Sequence, residues 1–274
     1  MNRQRWLSIL TYSLTTMIGI GAFLYPFWLP ALAQSADQQM AHAGDSALML
    51  TLLVGLCLAV LLLEVQSQGV SAKAVALLGV LVAINAVLRF AEAAVPGPGG
   101  FSPIFPLIIL GGYVLGARFG FLLGVLTLLV SAILTGGVGP WLPYQMLAAG
   151  FVGLFAGLLP PASGRAEIWL LAGYGIVSAF AYGWVMDFAF WPFGVGNDTG
   201  ISFDPALGPL QNLHRFVLYN IATSMGWNLG RALTNAVLIV LVGPALLRLL
   251  RRSARPAEFT PGFEPSQQGP ERTE

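Results

Sequence analysis

PIFPLIILGGYVLGARFGFLLGVLTLLVSAILTGGVGPWLPYQMLAAGFVGLFAGLLP, residues 103–160, carries a single charged side chain, Arg118. No water-facing surface can be built from such a stretch. In lipid, only helices and closed barrels satisfy their own backbone hydrogen bonds. The apolar runs 103–117 and 119–134 meet at Gly116, Ala117, Arg118, Phe119 and Gly120, which reads as a helical hairpin with a tight turn. One long re-entrant element is the alternative. Small residues recur at helical spacing: Gly112, Gly116, Gly120 and Gly124, then Gly153 and Gly157. Such residues let helices approach closely.

The same character extends in both directions. Apolar runs cover 6–32, 47–65 and 72–94 before the hairpin, and 142–159, 168–193 and 216–247 after it, so the chain holds eight in all. Most approach the ~20 residues that cross ~30 Å of hydrocarbon. The whole chain is 56% hydrophobic and 9% charged, with a mean hydropathy of +0.76. A soluble domain keeps about 25% charged residues. The fold class is therefore all-α: a polytopic helical membrane protein with eight transmembrane helices.

Orientation follows from the basic residues on short loops. Arg3 and Arg5, Lys73, Arg118, Arg165 and the group Arg248, Arg251, Arg252 and Arg255 fall on alternate connections. Only Arg215 breaks the pattern. This predicts a multi-pass protein of the plasma membrane with both termini in the cytoplasm and large outer loops at 34–46 and 195–213. The tail 251–274 is rich in Pro, Glu, Gln and Gly and reads as disordered. The first run also admits a signal-peptide reading, because Arg3 and Arg5 precede it and Ala31, Leu32 and Ala33 resemble a cleavage site. Its length favours a retained helix.

The chemistry is sparse. Cys57 is the one cysteine and lies inside an apolar run, so it reads as a small buried hydrophobe. His42 stands near Asp37 and Asp45, where a solvated loop is the simpler reading than a metal cluster. No HExxH, phosphate-binding loop or GxSxG occurs. The expectation is no enzyme and no cofactor. A net charge of +1 gives no support for a nucleic-acid partner.

Polar residues within the spans are costly and point to function. Arg89 and Glu92 share a helix face three residues apart, either as a self-neutralising pair or as ligand contacts. Asn228, Arg231 and Asn235 form one stripe on the last span, and Asp187 is the expected carboxylate partner of Arg231. Phe101, Trp141, Gln145 and Trp191 flank the outer loops at 95–102, 136–141 and 194–213. These nine residues form the candidate substrate site: Arg89, Glu92, Phe101, Trp141, Gln145, Asp187, Trp191, Asn228 and Arg231.

The segment GGVGPWLPYQMLAAG at 136–150, the GLFAGLLP that follows at 153–160 and GGFSPIFP at 99–106 resemble the substrate-binding (S) components of energy-coupling factor (ECF) transporters. The resemblance covers about residues 70–250. It implies a six-helix substrate-binding core at 71–250, two extra helices at 1–70 and a tail at 251–274. It also implies capture of a small-molecule vitamin at the outer face, with a membrane coupling subunit and two cytoplasmic ATPase subunits as partners. The family's alanine motif for the coupling subunit matches Ala72 and Ala76. Among S components the chain is most similar to the cobalamin and cobalamin-precursor group. A transporter or channel working without ATPases and a membrane-embedded lipid-modifying enzyme stay open as alternatives.

Overall fold

The computed structural model describes residues 72–94, 99–194 and 199–254, with scattered positions between 13 and 55. Seven helices follow one another: α1 (Ala72–Ala94), α2 (Ile104–Leu115), α3 (Ala117–Thr135), α4 (Leu142–Ala156), α5 (Gly164–Gly194), α6 (Pro209–Thr223) and α7 (Met225–Ala254). Four of them, α1, α3, α5 and α7, are long and apolar enough to cross a membrane. The described chain is that of a helical membrane protein.

The hairpin forms as the sequence predicts. Gly116 alone separates α2 from α3, and its φ of 97° is one that side-chain-bearing residues rarely adopt. With 12 residues α2 is only about 18 Å long, and with 15 residues α4 is only about 22 Å. Neither reaches across ~30 Å of hydrocarbon. The 99–103 segment, which leads into α2, lies level with Glu92 near the end of α1 and with Trp227 and Gly230 near the start of α7. Helix α2 packs against α1, α3, α4, α5 and α7, and every residue from Ile104 to Gly112 is buried.

Backbone contact at glycines holds this centre together. A Cβ on Gly112 or Gly120 would overlap the carbonyl of Gly153, and one on Gly124 would overlap that of Ala149. A Cβ on Gly153 would in turn overlap the carbonyl of Gly120, and one on Gly157 the backbone of Ala117. Helices α3 and α4 thus run antiparallel with their main chains touching. The two glycine series are the two sides of one seam.

The last apolar run departs from expectation. Residues 216–247 do not form one span, because the helix breaks at Ser224 into α6 and α7. Helix α6 buries a single stripe, Asn212, Phe216 and Asn220, at intervals of four. Two of those three residues are polar, so α6 is an amphipathic helix lying on the bundle. The apolar residues Ile221, Ala222, Met225 and Trp227 on both sides of Thr223 and Ser224 concealed the break.

The two ends differ. One carries the connections 99–103, 136–141 and 199–208 and is termed the loop end. The other carries Arg118, Arg165 and an ion pair between Arg251 and the buried carboxylate of Glu167, and is termed the basic end. The runs 6–32 and 47–65 and the tail beyond 254 lie outside the described residues except for those scattered positions. Among these, Phe23 is buried with its ring 5.4 Å from that of Tyr144, and Gly19 faces Leu147 and Phe151. These positions of the first run pack on α4.

Gly153→Val should destabilise the bundle strongly, because its branched side chain has only backbone to displace. Overpacking a tight core costs about 1–3 kcal/mol, and here neither main chain can yield. Gly173→Val, where a Cβ meets nothing within 4 Å, should leave the thermal unfolding midpoint in detergent close to wild type. Equal midpoints for the two variants would contradict the seam.

Candidate functional site

Helices α5 and α7 meet along a ladder of polar contacts. The Asn235 amide donates to the carbonyl of Gly175 at 2.8 Å. One turn nearer the loop end, Arg231 Nη1 donates to the carbonyl of Ala179 at 3.3 Å and to Asn228 Oδ1 at 3.1 Å. The guanidinium lies over the ring of Tyr182, 4.8 Å from its centroid, and 5.7 Å from that of Phe105. Gly183 makes the top rung: a Cβ there would overlap the Asn228 amide. The stripe read from the sequence is real, and Gly175 and Gly183, two turns apart on α5, receive it.

Above the ladder sits the 99–103 segment. Gly99 and Gly100 have φ of 115° and 60°. A Cβ on Gly230 would overlap the carbonyl of Gly99, and Gly100 rests on Trp227. On the other side, Ser102 Oγ donates to Glu92 Oε2 at 3.2 Å, while Glu92 Oε1 accepts from Arg89 at 3.1 Å. The segment thus bridges α1 and α7, resting on α7 at Gly226, Trp227 and Gly230, next in sequence to Asn228 and Arg231. Arg231 stacks on Tyr182, and the 99–103 segment links this corner to Glu92 and Arg89, which together make one polar cluster.

Asp187 does not pair with Arg231, contrary to the sequence expectation. Its carboxylate accepts from Asn220 Nδ2 and, at 2.8 Å, from Ser224 Oγ. The break at Ser224 brings α6 back over α5, which supplies Asp187 with neutral donors. The same break puts Arg231 only about 9 Å from the start of α7, shallower than a single long span implies.

Other predicted residues stand elsewhere. Trp191 is buried, donates from Nε1 to the carbonyl of Ile201 at 2.7 Å, and packs its ring on Phe203 and Phe216. It fastens the 199–208 connection. Trp141 is 46% exposed, precedes α4 and lies over Gly139. Gln145 is partly buried one turn further into α4, and Phe101 is partly buried in the 99–103 segment. The structure therefore joins Arg89, Glu92, Asn228 and Arg231, with Phe101 in the segment above them. It sets Asp187 and Trp191 with α6 and its connection. Tyr182, Phe105, Ser102 and Gly183 belong to the cluster without having been singled out, and the glycine spacing on α5 was the available signal for Gly183.

Five buried side-chain polar atoms lack a partner among the described residues. Three are amide oxygens, of Asn85, Asn220 and Asn235, whose own NH2 groups are anchored to Thr127, Asp187 and Gly175. Flipping any of them loses the anchor. The other two are donors, Asn228 Nδ2 and Arg231 Nε, and they belong to residues in contact with each other. The guanidinium has no acceptor to offer, so Asn228 must turn Oδ1 toward it and Nδ2 away. Both donors then demand an acceptor that the described residues do not provide. No group of three His, Cys, Asp or Glu that could hold a metal ion exists among those residues.

Gly183→Ala should push the Asn228 amide off Arg231 and lower the unfolding midpoint, an overpacking cost of about 1–3 kcal/mol. Adding Asn228→Ala to that variant should cost little more than Asn228→Ala alone, since the clash disappears with the amide. Strict additivity of the two changes in thermal unfolding would contradict the rung.

Comparison with known proteins agrees with this architecture. Residues 73–243 match the family described as ECF transporter, substrate-specific component. No curated protein and no solved structure matches the chain. The matched region begins in α1, ends within α7 and contains every member of the cluster. The chain belongs to the substrate-specific components of ECF transporters.

Proposed function

We propose that this S component captures a small vitamin or related micronutrient beneath the 99–103 segment, with Arg89, Glu92, Tyr182, Asn228 and Arg231 as its polar contacts. The observation that carries this reading is the meeting of two buried donors, unpartnered among the described residues, beside the glycine backbone of the 99–103 segment. Burying a donor without an acceptor costs about 1–3 kcal/mol, and a ligand acceptor removes that cost. Phe101 in that segment and Phe105 at the top of α2 add apolar surface. Entry requires the segment to lift from α7, and the Glu92–Ser102 contact is the point at which ligand near Arg89 can influence it. Trp141 and Gln145 are assigned to the rim, and Trp191 to the fastening of the 199–208 connection.

The resemblance favours cobalamin or a precursor within this class, and the length of the 194–213 connection supports a bulky ligand. Against it, Trp191, Phe203 and Phe216 pack on one another, which leaves those rings little face for a ligand. The substrate in this reading is therefore a small micronutrient.

Members of this family work with a membrane coupling subunit and ATPase subunits. The proposed docking face is α1, where Ala76, Gly79 and Ala83 lie on one exposed stripe and a Cβ on Gly79 meets open space. Gly79 extends the small-residue stripe that begins at Ala76. Ala72 opens the helix, and its side chain lies outside the described residues. Eight crossings remain the proposed topology: two before residue 70, then α1, α2, α3, α4, α5 and α7, with α6 lying at the loop end. The six helices from α1 onward, without α6, make the proposed core at 71–250.

Co-expressed with the coupling and ATPase subunits, the wild-type chain should carry them through affinity purification. Ala76→Trp should lose them by denying close helix approach, whereas Leu241→Trp, at an exposed position of α7, should retain them. Retention at wild-type yield by Ala76→Trp would remove α1 as the docking face.

With both termini inside, the loop end faces out. In a Cys57→Ala background, Leu210→Cys should react with an impermeant thiol reagent in whole cells, and Arg165→Cys only after lysis. The reverse pattern would invert the protein in the membrane.

A further inference from the structure

We propose that the substrate presents a carboxylate to Arg231 Nε and Asn228 Nδ2. The inference rests on reading the cluster as the substrate site and adds the chemistry of the group recognised there.

Two carboxylates stand near Arg231, and both are committed elsewhere. Glu92 uses one oxygen for Arg89 and the other for Ser102. Asp187 uses one for Asn220 and the other for Ser224. They act on the guanidinium from a distance, but among the described residues neither forms an ion pair with it. Its contacts are two neutral oxygens and two rings. A guanidinium partly buried within a span normally finds an anion, because an unpaired charge there is unfavourable.

Geometry narrows the class further. The two free donors come from different side chains already locked together by the Arg231–Asn228 hydrogen bond, so their relative placement is fixed. A carboxylate offers two oxygens on one rigid plane, one for each donor, and a charge-assisted contact to the guanidinium. An ester or primary amide offers one strong acceptor and no charge. The Asn228 amide is also held in its donor-outward orientation, both by the guanidinium and by the tight fit against Gly183. An acceptor, not a donor, is what this corner selects.

The test uses the detergent-purified full chain, immobilised, and the small-molecule fraction of a cell extract. Half of the fraction is treated with trimethylsilyldiazomethane, which esterifies carboxylic acids. Bound compounds are released by acid and identified by mass spectrometry. The expected result is a compound retained from the untreated half and lost from the esterified half. Asn228→Asp should abolish its retention, about thirtyfold or more, because the new carboxylate satisfies Arg231 internally and repels the substrate anion. Its thermal unfolding midpoint, measured alongside, should be at or above wild type, which separates loss of retention from unfolding. Equal retention from both halves would overturn the carboxylate and leave the S-component site standing. Undiminished retention by Asn228→Asp would mean that the two donors serve water or packing alone, which also overturns it. If the wild-type chain retains nothing from either half, the substrate-site reading itself fails, and the inference with it.

Discussion

Main chain pressed on main chain, at Gly120 against Gly153, is the contact on which this molecule depends. Lipid tails are as apolar as leucine, so no hydrophobic force drives helices together within the bilayer, and packing must do so. Glycines at 112, 120, 124, 153 and 157 remove side chains from the seam, which brings α2, α3 and α4 into close contact. That closeness permits two short helices. With α2 and α4 anchored along their lengths, neither has to reach both membrane surfaces. The shortfall of α2 is taken up by the 99–103 segment, which is how irregular backbone comes to lie over the end of α7.

The same backbone economy recurs there for another purpose. Gly99 touches Gly230, and Gly183 admits the Asn228 amide. In the seam, small residues remove volume so that apolar helices hold. In the α5–α7 ladder they remove volume so that amides and a guanidinium can reach carbonyl oxygens on the facing helix. Irregular backbone at membrane depth is tolerated only where protein or a cavity receives it, and the 99–103 segment meets that condition through Ser102 on one side and Gly230 on the other.

Much of this was legible in the sequence, and the failures share a cause. The hairpin at Gly116 and the glycine series follow from local spacing, as does the stripe of Asn228, Arg231 and Asn235. Periodicity says which residues share a helix face. It does not say which helix that face meets. Arg231 and Asp187 were matched because few charges were on offer, but charge counting ignores the neutral donors of Asn220 and Ser224. Those donors reach Asp187 only because the helix breaks at Ser224. No proline marks the break, and the short polar pair Thr223–Ser224 is masked by Ile221, Ala222, Met225 and Trp227, which keep the run apolar on average. Trp191 was read as a ligand contact from its place beside a loop, yet its indole N–H serves the loop itself. Aromatic residues at a membrane surface satisfy several roles with one composition, and sequence cannot separate them.

Among the described residues the unpartnered buried atoms fall into two kinds. An amide oxygen left over after its NH2 is anchored is the residue of a helix-to-helix clasp, and Asn85, Asn220 and Asn235 all fit that description. An under-satisfied carbonyl is the less costly kind of orphan. A clasp does not explain a guanidinium N–H and an amide NH2 left free side by side. Leucine at 228 and methionine at 231 would pack against Tyr182 and Phe105 without any polar penalty. In the proposed reading, acceptor oxygens of the substrate complete the site for part of the protein's working cycle. The 99–103 segment fits that reading, because a cover that touches α7 by backbone alone leaves few side-chain contacts to break when the site opens.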